Sequence, residues 1–293
     1  MEHSSIYEHP HIKDYILQQY EDYVDLFPSG VERDYVQTRF GRTHVLKLGK
    51  EDGKPLFIFH GANCLNPMTL SWFEGLFPEY KIYAPDTVGH PGFSSERRID
   101  PEDNSFALWT LDLLHHYGLD TCAFAGVSYG GGIVLRMAAF YPEKINCAIL
   151  VVPAGIIPFS KWWTMKKMLL PFTLYQLNDS TEQIEAVADA MSAGRMKAID
   201  RDIIATLFQH VTLEHDLPKL TEKQELHNYR APTMIIAGMQ DVFFPEEKLF
   251  ETAAPLFGDL LEWRAYNMGH FPSREHIDRM NKDMAAFLLQ HYR

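Results

Sequence analysis

The sequence predicts an α/β fold: a mostly parallel, doubly wound sheet carrying an inserted helical cap. The first observation behind this is an alternation. Short, nearly continuous apolar runs at 56–59, 82–85, 122–127, 145–152, 233–237 and 261–266 alternate with amphipathic stretches of helical length at 106–117, 129–141 and 276–291. Strands buried on both faces read this way, and parallel strands need crossover connections, which are right-handed. The second is a break in that rhythm between 156 and about 229, where only helical stretches occur, at 161–170, 181–194 and 198–211. The third is the ordinary composition of the 293 residues, 46% hydrophobic and 23% charged, which suits a packed body with a full core rather than a disordered or fibrous chain. The expected organisation is a core built from 1–155 and 229–293, with a helical cap at 156–228. The cap is expected over the carboxyl ends of the strands, where open parallel sheets keep their ligand sites.

Ahead of the alternating region, Ile12, Tyr15, Ile16, Tyr20, Tyr23, Val24 and Phe27 recur at helical spacing and predict an amphipathic helix over 12–27. Segments 33–39 and 43–48, joined by Phe40-Gly41-Arg42, carry the β-branched and alternating residues of an antiparallel hairpin. No internal repeat or low-complexity tract interrupts the chain.

Composition also excludes function classes. A formal net charge of -12 leaves no broad basic surface to neutralise phosphates or anionic headgroups, so nucleic acid is not an expected partner. The first residues show no basic residue followed by an apolar stretch, and the longest apolar run, near 147–157, is too short and interrupted to span a bilayer. The expectation is a cytoplasmic protein with no membrane association. Cys64, Cys122 and Cys147 form neither a disulfide framework nor a metal-ligand spacing, which fits a reducing compartment; all three read as small buried apolar side chains.

The chemistry centres on Gly126-Val127-Ser128-Tyr129-Gly130. A serine hydroxyl is a poor nucleophile unless a base takes its proton and the backbone presents it clear of the surface. A strand, a sharp turn and a helix achieve that, and here 122–127 supplies the strand, Ser128 the turn and 129–141 the helix, whose amino end favours developing negative charge. Glycines flank the serine because side chains would collide in so tight a turn. The five-residue pattern alone is expected about 0.05 times by chance in this composition, so the strand before it and the helix after it carry the weight.

The base must be a histidine oriented by a carboxylate. Asp241 follows the strand at 233–237 in Gly238-Met239-Gln240-Asp241, and His270 follows the strand at 261–266 in Asn267-Met268-Gly269-His270. His60, before Gly61, reads as a loop organiser, and His90, in Gly89-His90-Pro91-Gly92, as part of a turn. Asp86 also follows a strand but precedes the nucleophile; in the order nucleophile, acid, base, Asp241 fits and Asp86 reads as a loop anchor. Acyl transfer further needs donors aimed at the oxyanion. The N–H of Tyr129 supplies one at the helix start; the second is expected from His60-Gly61-Ala62-Asn63, from Ala62 with Asn63 as the near alternative.

Taken together, His60-Gly61-Ala62, the elbow around Ser128, Gly238-Met239-Gln240-Asp241 and Gly269-His270 resemble, in order, the oxyanion, nucleophile, acid and base loops of the α/β-hydrolase superfamily. Asp86-Thr87-Val88-Gly89-His90-Pro91-Gly92-Phe93-Ser94 resembles that superfamily's non-catalytic loop after the fourth strand. The N-terminal helix, the hairpin and the modest cap are similar to bacterial carboxylesterases, and serine at 128 differs from the carboxylate nucleophile of haloalkane dehalogenases and epoxide hydrolases. The resemblance implies an α/β-hydrolase fold and a cofactor-free ester hydrolase. The leading expectation is a serine esterase that cleaves small to medium, apolar carboxylic esters through an acyl-enzyme on Ser128, with no metal. The same three residues would also serve carbon–carbon bond hydrolysis, perhydrolysis or acyl transfer, and a signalling protein could keep the pocket with little turnover. In the cap, Phe159, Trp162, Trp163, Met165, Met168 and Phe172 offer apolar surface that either lines an acyl or alcohol pocket or holds the cap together.

Overall fold

The computed structural model describes residues 5–28, 30–159 and 181–292. The helix expected at 161–170, and the apolar cap residues beyond Phe159, lie outside the described residues.

Eight strands form one sheet: β1 (Glu32–Thr38), β2 (Gly41–Gly49), β3 (Lys54–Phe59), β4 (Tyr80–Pro85), β5 (Cys122–Val127), β6 (Ile145–Val151), β7 (Thr233–Gly238) and β8 (Leu261–Tyr266), in spatial order β1-β2-β4-β3-β5-β6-β7-β8. Pairings from β4 through β8 are all parallel, as the apolar runs predict. Strands β5 (CAFAGV) and β7 (TMIIAG) are buried at all six residues, so both their faces are covered. At the edge, β8 is half-buried over five of six residues, and its Glu262 and Arg264 pair at 3.3 Å, charges that discourage addition of a further strand. The predicted hairpin β1–β2 also extends the main sheet: β2 pairs antiparallel with β4, placing Val45 opposite Pro85 and Leu48 opposite Ile82.

The helices are α1 (Pro10–Val24), α2 (Asn66–Leu70), α3 (Ser105–His116), α4 (Tyr129–Phe140), α5 (Thr181–Ser192), α6 (Ala198–His210), α7 (Glu246–Phe257) and α8 (Arg274–His291). Two of these, α5 and α6, occupy the described part of the 156–228 interval. Helix α7 has no counterpart in the periodicity reading; it buries only Leu249, Ala253 and Phe257, and Pro255 sits inside its last turn. None of the helices among the described residues is long and apolar enough to cross a membrane.

The strand order fixes where a site can form. After β3 the chain crosses to β4 on one side, and after β4 it returns to β5 on the other. Loops leaving β3 and β5 therefore diverge at their carboxyl ends and open a crevice at the switch point.

Helix α4 is tied to the chain returning from the cap by a buried cation. Arg136 is fully buried; its Nη1 lies 2.9 Å from Glu225 Oε1, and its Nη2 donates to Thr221 Oγ1 at 3.0 Å. Glu225 also accepts from Lys219 Nζ (3.0 Å) and the Glu222 N–H (2.8 Å). Burial alone would raise this carboxyl, but Arg136 and the other donors outweigh it and hold the pKa at about 2. Removing the carboxylate strands a guanidinium in the core, so Glu225→Gln should destabilise the protein by about 2–3 kcal/mol near pH 7, less than for a wholly enclosed pair because Glu225 keeps some solvent contact. With the folded value depressed from 4.5, the wild-type advantage is complete above that pH and fades as pH falls toward 2. Denaturant midpoints across pH 2–7 check this; equal midpoints at pH 7 would contradict it.

Candidate active site

Ser128 sits between the last residue of β5 and the first of α4, at φ 50 and ψ -112. That left-handed conformation costs a non-glycine residue about 1–3 kcal/mol and persists only where the surroundings enforce it. Here its N–H donates to Val151 O (2.9 Å), and its carbonyl accepts from the N–H groups of Gly131 (2.9 Å) and Ala154 (3.0 Å). The flanking glycines leave no room for side chains: a Cβ on Gly126 would lie 2.3 Å from Gly130 O, and one on Gly130 would lie 2.2 Å from Phe59 O. Backbone packing at the switch point thus forces the serine outward, and it is half-buried rather than enclosed.

Asp241 and His270 come together past the ends of β7 and β8. The two strands finish in register, Gly238 opposite Tyr266, and their loops are stitched by Met239 N–H to Tyr266 O and Gln240 N–H to Met268 O, both 2.9 Å. His270 Nδ1 lies 2.8 Å from Asp241 Oδ2, while Asp241 Oδ1 accepts the N–H groups of Phe243 (2.8 Å) and Phe244 (3.3 Å). An ionised carboxylate only accepts hydrogen bonds, so this contact places the proton on Nδ1 and leaves Nε2 of the neutral ring with a free lone pair. The imidazole is ringed by Phe243 at 4.7 Å, Phe244 at 5.9 Å and Phe271 at 6.2 Å between centroids. Sequence patterning does not single out this aromatic wall, although Phe243-Phe244 follow Asp241 after one intervening residue, Val242, which is a visible signal.

Helix α5 abuts the loop that holds His270. Phe271 N–H donates to Met191 O at 3.0 Å, and Gly269 permits the approach, since a Cβ there would lie 2.6 Å from Met191 O.

The loop after β3 faces the serine from the neighbouring strand. Phe59 is paired with Gly126, and a Cβ on Gly61 would stand 3.6 Å from Ser128 Cβ. His60 has both ring nitrogens engaged within the scaffold: Nδ1 meets Gly61 O at 2.7 Å, and Nε2 accepts the Thr87 N–H at 2.9 Å. Burial lowers its pKa and keeps the ring neutral. Ala62 is half-buried at the crevice, and Tyr129 opens α4, where the first amides have no partner inside the helix.

Asp86 lies elsewhere, fully buried among Tyr20 Oη (2.7 Å), Asn66 Nδ2 (2.9 Å), Phe93 N–H (2.9 Å) and His44 Nδ1 (3.0 Å). His90 is buried against Tyr129, 4.8 Å between ring centroids, and burial holds its pKa well below the usual range. Burial likewise pushes the Cys64 thiol up to about 12, so it is protonated and donates to Gly61 O. Among the described residues, no group of three or more His, Cys, Asp or Glu side chains could hold a metal ion.

Known proteins bear on this geometry. Carboxylesterase YbfK of Bacillus subtilis (strain 168) is 25% identical over 285 residues, covering 92% of each chain. An uncharacterized carboxylesterase, nap, of the same organism is 24% identical over 281 residues, covering 92% of this chain and 91% of that one. The crystal structure of naproxen esterase (carboxylesterase NP) from Bacillus subtilis superposes with a TM-score of 0.80 at 22% identity, over 93% of this chain and 96% of the other. A family model for the alpha/beta hydrolase fold matches residues 54–277, a span that includes Ala62, Ser128, Tyr129, Asp241 and His270. The chain belongs to the α/β-hydrolase fold family.

Proposed function

We propose that the protein is a serine carboxylic ester hydrolase working through an acyl-enzyme on Ser128. The observation that carries this reading is the enforced turn at Ser128 on the same sheet edge as the hydrogen-bonded His270–Asp241 pair. In the proposed cycle His270 Nε2 removes the hydroxyl proton as Ser128 Oγ attacks the ester carbonyl, and Asp241 stabilises the imidazolium that forms. The N–H groups of Ala62 and Tyr129 receive the negative charge on the carbonyl oxygen. His270 then returns the proton to the departing alcohol and activates water to release the acid. Nucleophile, base, acid and amide donors all come from this chain, so the cycle calls for no cofactor or metal.

The substrates we favour are small to medium, apolar carboxylic esters. The wall of Phe243, Phe244 and Phe271 beside His270, extended by Phe159 stacked 5.2 Å from Phe243, supports this, as does the carboxylesterase activity named for two Bacillus relatives. The cap over 156–228 would complete the pocket. Three buried, unpaired thiols are in keeping with a cytoplasmic location.

Ser128→Ala should lower hydrolysis of short aryl esters by roughly 10⁴–10⁶ with an unchanged circular dichroism spectrum. Undiminished turnover in that variant would overturn the assignment. Asp241→Asn should lower kcat by roughly 10³–10⁴, because the amide no longer selects the Nδ1–H tautomer of His270.

A further inference from the structure

We propose that Asn63 is a positioning residue for the oxyanion donor, clamping the loop after β3 to the chain that leaves the cap. This rests on the reading of Ser128 as nucleophile and Ala62 N–H as one oxyanion donor.

The Ala62 N–H shares a peptide plane with the Gly61 carbonyl, so whatever fixes that carbonyl aims the N–H in the opposite direction. Gly61 O receives His60 Nδ1 at 2.7 Å and Cys64 Sγ at 3.0 Å, both from within the same short loop. Those contacts orient the plane, and the His60 ring, through Nε2, also takes the Thr87 N–H of the loop after β4 at 2.9 Å. The hold on the chain from the cap comes from Asn63. It stands at φ 53, a left-handed conformation that asparagine tolerates better than most residues. There its side-chain Oδ1 accepts the Glu214 N–H at 2.7 Å while its Nδ2 donates to Glu214 O at 3.0 Å. One amide side chain thereby takes both backbone groups of a residue 151 positions away, as an antiparallel neighbour would.

The acceptor segment is itself held. Arg98 Nε lies 3.4 Å from Glu214 Oε2, and Arg98 Nη2 also donates to Thr212 O. On the far side, Thr212 N–H donates to Ile6 O (2.8 Å) and Glu8 N–H to His210 O (3.0 Å), with Tyr7 bridged to Val211. Residues 210–214 are thus fixed to the N-terminal segment and to the loop after β4, and Asn63 passes that fixed point to the oxyanion loop. A donor must be held at about 2.7–3.1 Å from the position the oxyanion takes up, so a loosened loop loses transition-state binding with little effect on ground-state binding.

Asn63→Gly keeps the left-handed backbone without strain and deletes both hydrogen bonds. Active sites are counted by end-point titration with a fluorophosphonate, so that loss of folded enzyme does not register as loss of rate. Per titrated site, kcat for a short aryl ester should fall by about tenfold or more with KM changed by less than about threefold. The inhibition constant of an aryl trifluoromethyl ketone, which adds to Ser128 to form a hemiketal oxyanion, should rise in proportion to the loss in kcat/KM. Asn63→Asp, which keeps the acceptor for the Glu214 N–H but turns an anionic oxygen toward Glu214 O, should show the same losses and serves where the glycine variant does not fold. Wild-type kcat per site and an unchanged ketone constant in the folded variant would overturn the positioning role alone. A wild-type enzyme that neither labels at Ser128 nor hydrolyses esters would instead overturn the proposed function.

Discussion

Everything at the site depends on the left-handed turn at Ser128. Its conformation is costly for any residue with a side chain, and it is sustained by neighbours that have no alternative: Val151 O, Ala154 N–H and the first turn of α4 hold its peptide groups, while Gly126 and Gly130 allow Phe59 and the helix backbone to close in. These contacts come from β3, β5, β6 and α4, the elements that meet at the switch point of the sheet. Core packing is thus converted into the exposure of one hydroxyl, and the strain is offset by the burial of fully apolar strands such as β5.

The loops around that turn are held from outside the core as well as from within. On one side the loop holding His270 is joined to α5 through Phe271 and Met191, and on the other the loop after β3 is joined to Glu214 through Asn63. Arg136 anchors the same returning chain to α4 through Glu225 and Thr221. The segments 181–192 and 211–225 therefore act as structural parts of the site. The N-terminal residues reach it too, through the bridge of Tyr7 to Val211 and through Tyr23, whose hydroxyl lies 2.9 Å from Asp200 on α6.

Local order explains what could be read in advance. Strand β5 matches the apolar run at 122–127 to the residue, because uninterrupted apolar character ends where the chain leaves the sheet, and β8 matches 261–266 to the residue although Glu262 and Arg264 interrupt it. Ser128, Asp241 and His270 each follow such a boundary within four residues, so their placement on one sheet edge was legible from strand ends alone. Boundaries drifted where burial continues past the element: Phe27 is buried although α1 ends at Val24, and Val152 is buried although it leaves β6 at φ 42. The clamps were not legible. Asn63 to Glu214 spans 151 positions and Arg136 to Glu225 spans 89, and nothing in either local pattern names its partner. The hairpin shows the same limit, since its strand character is local while its pairing with β4 is set by the fold.

In the proposed function one hydroxyl, made nucleophilic by its position, carries the chemistry. Peptide mapping by mass spectrometry after reaction with a fluorophosphonate is the decisive test. A single stoichiometric adduct on Ser128, forming in step with loss of esterase activity, is expected. A stoichiometric adduct on another residue, or complete inactivation with Ser128 unmodified, would contradict it.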